Sequence, residues 1–387
     1  MNVFEFTAWK RKGEILLKKM VLLLAAVIFW VFILPVSSSA EGISAECAVV
    51  IEQSTGIVLF EKNAGQMRPP ASTTKILTAL IAIEECDMEE EFTVSSSSAA
   101  VDGSQLGLLA GEKIKLRDLL YMLLLKSAND AAETIAENIA GSIEAFAGMM
   151  NRRAVEIGCE NSCFVNPHGL PDDGHYTTAS DLAKIAREAM LNPLFAEIVS
   201  TKTKTLEYKN LTLSNSNRLL SDGTGFDGVK TGFTKKAGRC LVSSCQREGV
   251  RLICVTLNAP SDWADHRILA DLCFPRVSVK AVLESGAYSR GKSVLNGAEE
   301  AELLNLMPLY GVAVDGVLPE YQIRENLPPL LFAPLSRFQS CGELCLVYEG
   351  RTVAKSTLYA RQNVTEREGE KKGFWQRICE WFEDLFD

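Results

Sequence analysis

The sequence predicts an α/β domain followed by a smaller all-β domain and a short amphipathic tail. Three observations lead there. Two β-rich runs near residue 50 are followed by a long series of helical patterns, and strand patterns return after residue 201. That strand–helices–strands order implies one sheet built from N-terminal and later strands, with helices packed on it. Residues beyond 275 carry β-type segments and few helical patterns, and residues 366–387 close the chain with an aromatic, helix-spaced stripe. The composition agrees: 387 residues, 47% hydrophobic and 23% charged, excludes a disordered or fibrous chain. The length allows two sizeable cores. The net charge of −9 and the lack of a basic block beyond the N-terminus exclude nucleic acid as a natural partner.

The chain begins with a basic stretch (Lys10, Arg11, Lys12, Lys18, Lys19). Met20 to Val36 then run 17 residues without charge, and small residues follow at Ser38 and Ala40. This is the pattern of a secretory signal over residues 1–40, cleaved after Ala40. An uncleaved anchor helix is the alternative, because the run approaches membrane-spanning length. Met20 as the start would strip away Lys18 and Lys19. Each reading places the bulk of the chain outside the cytoplasm.

The first folded domain spans residues 41–275. Cys47–Ile51 and Ile57–Glu61 flank a turn at Ser54-Thr55-Gly56 and read as a hairpin. Prolines end at Pro70, and a helix begins around Ser72. Ser95–Ser98 read as surface loop. LRDLLYMLLLKS is apolar nearly all round, which predicts a buried helix. NDAAETIAENIA is a second helix beyond a sharp break, SIEAFAGMMNRRAVEIG a third, and DLAKIAREAML a fourth, capped by Ser180. Short β runs between Gly and Asn turns fill residues 201–257, and helix returns at Arg267–Phe274.

Residues 276–365 form the β-rich domain, with a hairpin expected around Glu349-Gly350. In the tail, residues 366–387, Phe374, Ile378, Trp381, Phe382 and Leu385 make one stripe, widened by Trp375 and Phe386. That stripe suits a membrane interface. Seven acids against four bases there oppose anionic lipid, and docking on the β domain is the alternative. Eleven cysteines follow the signal. An odd number leaves at least one free thiol. The two CxxxC pairs (Cys159/Cys163, Cys341/Cys345) lack zinc-site spacing and histidines, so buried thiols with one or two disulfides are expected.

Three short motifs carry chemistry. Ser72-Thr73-Thr74-Lys75 puts a hydroxyl and an amine one turn apart on one helix face. Serine is a weak nucleophile and needs a base. Lysine serves if burial or nearby cations lower its pKa, and the helix N-terminus offers N–H groups to an oxyanion. Ser127-Ala128-Asn129 falls in the break between two helices. Lys230-Thr231-Gly232 opens a β run, where lysine can hold a carboxylate and glycine admits a substrate backbone. Each motif alone is weak: a capped helix with an exposed lysine, helix punctuation, a turn-to-strand junction.

Their order, spacings (52 residues from Lys75 to Ser127, 101 from Asn129 to Lys230) and local contexts agree with one another. The constellation resembles the penicillin-recognising serine enzymes. Within them the chain looks most like the low-molecular-mass D-alanyl-D-alanine carboxypeptidases, peptidase family S11. PPASTTKILTAL, LLLKSANDAAETIAE, FVNPHGLPDDGHYTTASDLAKIAREAM and GVKTGFTKKAGRCLV carry the likeness. It implies a serine β-lactamase/transpeptidase-like catalytic domain, an antiparallel sheet flanked by helices. It also implies that Ser72 attacks the carbonyl between the last two D-alanines of a peptidoglycan stem peptide. Lys75 would be the general base, Ser127 would relay a proton to the leaving D-alanine, and Asn129 would hold Lys75 and the substrate amide. Lys230 and Thr231 would grip the terminal carboxylate beside Gly232, and the N–H groups of Ser72 and Phe233 would form the oxyanion hole. Arg267 would assist the carboxylate, and His168 would be structural. β-Lactams are the expected covalent inhibitors, no metal or organic cofactor is implied, and the expected location is the outer face of the cytoplasmic membrane.

The rival readings share the machinery. Glu188-Ala189-Met190-Leu191-Asn192 matches the E-x-x-L-N letters of class A β-lactamases, but Glu188 lies on the polar side of its helix and 61 residues past Ser127. A D,D-endopeptidase would use the same residues. A non-catalytic binder has no need of a nucleophile beside a base. A Ser-His-Asp hydrolase lacks support, since no G-x-S-x-G occurs.

Overall fold

The computed structural model describes residues 42–367. The signal expected at 1–40 and the tail helix expected within 366–387 lie essentially outside the described residues. The hairpin forms as β1 (Cys47–Glu52) and β2 (Val58–Lys62). A one-turn 3-10 helix, Ala71–Thr74, leads into α1 (Lys75–Glu85), whose first eight residues are buried. β3 (Glu91–Thr93), α2 (Ser96–Ala99) and β4 (Lys113–Lys115) bring the chain to three longer helices. These are α3 (Leu116–Leu125), α4 (Asn129–Ala140) and α5 (Ile143–Ile157). Then come α6 (Ala179–Leu191), α7 (Pro193–Ser200), β5 (Thr203–Thr205) and β6 (Thr212–Ser214). The first domain closes with β7 (Phe226–Thr234), β8 (Gly238–Arg247), β9 (Val250–Leu257) and α8 (Asp262–Cys273).

The central sheet has the order β2-β1-β9-β8-β7, antiparallel throughout. Strand alternation feeds two cores. Cys240 and Val242 of β8 join the large core with α1, α3, α4 and α6, whereas Leu241 and Cys245 meet Leu219 and Ala270 on the other face. The sheet is thus covered on both sides, and β7 forms one edge.

Several local expectations are corrected. Ser95–Ser98 is a helical turn, not a loop: Ser95 caps it by accepting from the Ser98 N–H, and buried Ser98 donates to Glu137. Thr178, not Ser180, caps α6, accepting from the Asp181 N–H at 3.0 Å. Pro193 opens α7 under an Asn192 cap, a helix the sequence reading did not separate. α8 starts five residues earlier than Arg267, at Asp262. The ten cysteines of the described residues are all free thiols, against the expected one or two disulfides. Most are buried, and burial pushes Cys240 and Cys245 up to about 11 and Cys159 and Cys273 up to about 12.

Among the described residues from 277 to 367, the regular elements are all strands. β10 (Val277–Leu283) pairs with β14 (Leu309–Val314). β11 (Ser289–Lys292), β13 (Ala301–Asn305), β15 (Gln322–Asn326), β17 (Ser340–Tyr348) and β18 (Arg351–Ala360) form a five-stranded antiparallel sheet. β12 (Val294–Leu295) and β16 (Leu331–Phe332) add a short parallel ribbon. The β17–β18 hairpin reaches the first domain, where Arg351 donates to Glu188 at 2.8 Å.

Candidate active site

The turn before α1 presents Ser72. Ala71 adopts a left-handed φ of 49°, and the two hydroxyls that follow Ser72 are committed elsewhere. Thr73 donates to the Pro70 carbonyl at 2.6 Å, and Thr74 donates to the Ala71 carbonyl at 2.9 Å. Ser72 alone is free to face the cleft. Gly169 packs against this turn so closely that a Cβ there would lie 1.8 Å from the Ala71 oxygen.

Lys75 follows as the first residue of α1 and is fully buried. Its Nζ reaches Ser72 Oγ at 3.1 Å, Asn129 Oδ1 at 2.7 Å and the His168 carbonyl at 2.7 Å. Burial, then the charge of Lys230, lowers its pKa well below the ordinary lysine range, and Asp130 opposes the shift. A neutral amine held by two acceptors would point its lone pair at Ser72.

The α3–α4 break supplies the second motif. Ser127 sits at φ 62°, an unfavourable region for a side chain with a Cβ. Its Oγ is buried and makes no hydrogen bond to the protein. Asn129, at the start of α4, donates its side-chain N–H to the Asp102 carbonyl at 2.7 Å while its oxygen holds Lys75. Buried Asp130 accepts from the N–H groups of Leu106, Gly107 and Leu108, which fixes the loop carrying Ser104.

Strand β7 supplies the third. Lys230 is buried, donates to the Thr231 carbonyl at 2.8 Å and has no carboxylate partner among the described residues. Burial lowers its pKa to about 7. Gly232 lies against the serine turn: a Cβ there would sit 3.0 Å from Ser72 N and 3.1 Å from Thr73 N. The backbone just before Phe233 is therefore pressed against the amide of Ser72. Because β7 is an edge, its outer groups are open to an extended peptide. A cleft of about 410 Å³ joins Ser72, Ser127, Thr231, Gly232 and Phe233 with Ser104, Arg218, Arg239 and Trp263.

Comparison with known proteins shows the family of the chain. The family model of D-alanyl-D-alanine carboxypeptidases (peptidase S11) matches residues 35–261. The chain belongs to that family. It is 31% identical over 347 residues to the D-alanyl-D-alanine carboxypeptidase DacF of Bacillus subtilis, covering 85% of this chain and 87% of that one. Penicillin-binding protein 5 of Haemophilus influenzae matches in structure with a TM-score of 0.60, at 28% identity over 84% of this chain and 98% of that one. Penicillin-binding protein D2 of Listeria monocytogenes, solved in an ampicillin-bound form, matches with a TM-score of 0.55 at 31% identity, over 60% of this chain and 98% of that one.

Against this family background, other singled-out residues fall into place. Arg267 is not among the residues lining the cleft and pairs with Asp222 at 2.7 Å; Arg218 and Arg239 line the cleft instead, and the sequence held no signal for them. The His168 ring meets Glu133 at 3.1 Å, and its backbone carbonyl is what touches Lys75. Glu188 pairs with Arg153 and Arg351, and Asn192 caps α7, so the E-x-x-L-N letters are far from Ser72 in role. A second cleft of about 470 Å³, lined by Arg187, Arg251 and Arg351, holds none of the motif residues.

The tightness at Gly232 yields a prediction. Gly232→Ala should push β7 off the serine turn by a few tenths of an ångström. Penicillin acylation should slow by roughly one to two orders of magnitude, since small misplacements of reacting groups are costly. Stopped-flow labelling checks this, alongside a melting curve expected to stay close to the parent's.

Proposed function

We propose that the chain is a serine-type D-alanyl-D-alanine carboxypeptidase that trims the terminal D-alanine from peptidoglycan stem pentapeptides and is acylated by β-lactams. The observation that carries this reading is the buried Lys75 amine, held between Asn129 and the His168 carbonyl at 3.1 Å from Ser72 Oγ. Ser72 Oγ bonds to the penultimate D-alanine carbonyl as Lys75 takes its proton. The carbonyl oxygen becomes negative between the N–H groups of Ser72 and Phe233. As the C–N bond breaks, Ser127 passes its proton to the departing amine and is reprotonated by Lys75, which returns to the neutral amine. Water then attacks the ester carbonyl, returns the proton to Ser72 and releases the shortened peptide. Lys230 and Thr231 hold the terminal carboxylate, and Asn129 orients both Lys75 and the substrate amide.

Residues 41–275 serve as the catalytic domain in this reading, and residues 276–365 as a spacer or partner-binding domain. Residues 1–40 direct export, and 366–387 attach the enzyme to the outer face of the cytoplasmic membrane.

The deciding assay is D-alanine release from a diacyl-Lys-D-Ala-D-Ala tripeptide, run beside labelling by a fluorescent penicillin. Release with stable labelling supports the carboxypeptidase. Labelling without release moves the reading to a D,D-endopeptidase or a binder, and fast penicillin turnover to a β-lactamase.

The two lysines set the pH dependence. Lys75 must be neutral to accept a proton, and Lys230 charged to hold a carboxylate. For a lysine lowered to about 7, the charge is lost as pH rises through that value. The kcat/KM profile should therefore fall on the alkaline side. Lys230→Arg, always charged, should move that limb upward by more than a pH unit. A limb that stays in place would assign it to another group.

A further inference from the structure

The β domain carries an apolar strip that no packing within the described chain explains. Strands β12 and β16 run parallel, with Val294 beside Leu331 and Leu295 beside Phe332. Val294 and Leu331 point inward, onto a core with Ala301, Leu303, Leu335 and Val364. The outer face of such a ribbon is normally polar, because alternate side chains meet water. Here it is not. Leu295 is 48% exposed and Phe332 57%, and Leu330, two residues before Phe332 on the same face, is 54% exposed.

The place of this strip is as informative as its chemistry. The described chain ends against it. The Ala298 N–H donates to the Thr365 carbonyl at 2.9 Å, Glu366 bridges to Gly297, and the Arg367 N–H donates to the Asn296 carbonyl at 2.7 Å. Asn296 is the residue after Leu295. The last described residue, Arg367, is therefore bonded one residue from Leu295, and the aromatic stripe follows it in the sequence.

Three occupants are conceivable: lipid, a second copy of the chain, or the tail itself. Three side chains fall well short of the roughly 800 Å² per partner that a stable dimer buries. The tail stripe of Phe374, Ile378, Trp381, Phe382 and Leu385 is broader than the strip and would leave apolar surface uncovered. A lipid surface takes isolated apolar side chains singly and takes both elements at once. Peripheral attachment commonly needs two weak signals in combination, and the tail's acidic excess denies it the electrostatic one.

We propose that Leu295, Leu330 and Phe332 form a second lipid-contacting surface, entering the headgroup region beside the tail so that the β domain rests directly on the membrane. The proposal rests on the reading that residues 366–387 bind the membrane. It makes attachment two-pointed, which restricts rotation of the catalytic domain about its tether.

The test is co-sedimentation of the chain from Glu41 to Asp387 with vesicles of phosphatidylethanolamine and phosphatidylglycerol. Three forms are compared: the parent, Leu295→Ser/Leu330→Ser/Phe332→Ser, and Trp381→Ser/Phe382→Ser/Leu385→Ser. The strip variant should bind about tenfold or more weakly, since affinity follows the apolar area inserted. Its penicillin labelling rate should equal the parent's, which also shows that it is folded. Phe332→Trp should add a blue-shifted emission component when vesicles are present. Parent-like vesicle binding by the strip variant, or no blue shift, overturns the proposal. A parent dimer that the strip variant turns into monomer, with vesicle binding unchanged, overturns it in favour of a copy interface. Faster proteolysis of the tail in the strip variant, with vesicle binding unchanged, overturns it in favour of tail docking. Parent-like binding by the tail variant sinks the tail reading alone, and the strip variant still decides the strip. A parent that does not bind vesicles sinks both.

Discussion

Ser72→Ala is expected to abolish both covalent penicillin labelling and D-alanine release, lowering acylation by at least about 10⁴-fold, the scale seen when a serine hydrolase loses its nucleophile. The structure gives the expectation its sharpness. Thr73 and Thr74 follow Ser72 directly, but both hydroxyls are buried and committed to backbone carbonyls. Neither can substitute. Mass spectrometry after penicillin treatment should find no adduct on the variant, whereas the parent gains one penicilloyl group on the peptide containing Ser72. An adduct of comparable yield in the variant would place the nucleophile elsewhere, with Ser127 the first residue to examine.

Lys75→Met is the second large effect. Methionine matches the length of the lysine stem and removes the amine that reaches Ser72 Oγ. General-base assistance accounts for about 10²–10⁴-fold in such reactions, so acylation should fall by roughly that factor. The acid limb of the pH profile should vanish with it. The sign follows from the lowered pKa. In the parent, Lys75 is deprotonated above its depressed pKa and active, and it is protonated and inactive below. A variant that kept the acid limb would show that another group titrates there. A circular dichroism melting transition checks that the variant is folded, because Asn129 Oδ1 and the His168 carbonyl each lose a donor in it.

Much of this site was legible before any coordinates. The spacings of Ser72, Lys75, Ser127, Asn129, Lys230 and Gly232 place each in a suitable local context; Ser72, Ser127 and Gly232 line one cleft, Lys75 bridges Ser72 and Asn129, and buried Lys230 bonds to Thr231 of the lining. The strand and helix periods gave β1, β2, α1, α3, α4 and α5 nearly to the residue. What was hidden shares a physical cause. The third acceptor on Lys75 is a backbone carbonyl 93 residues away, and a backbone oxygen has no letter in the sequence. Asp130 organises the Ser104 loop through three N–H groups, a contact that depends on how α4 is rotated. Arg218 and Arg239 reach the cleft through tertiary placement, and Arg267, in the more suggestive position along the chain, turned to Asp222 instead. Caps one or two residues from the expected position, as at Thr178, reflect competition among adjacent hydroxyls that sequence alone does not rank.

The ten free thiols have a practical meaning for how such a chain matures. No cross-link among the described residues has to form before the fold is complete, so the fold is reached equally in a reducing and in an oxidising medium. High pKa values leave Cys159, Cys240, Cys245 and Cys273 almost wholly protonated at neutral pH, and a protonated thiol neither attacks a disulfide nor reacts readily with peroxide. The protein should be as active when assayed in millimolar dithiothreitol as in its absence.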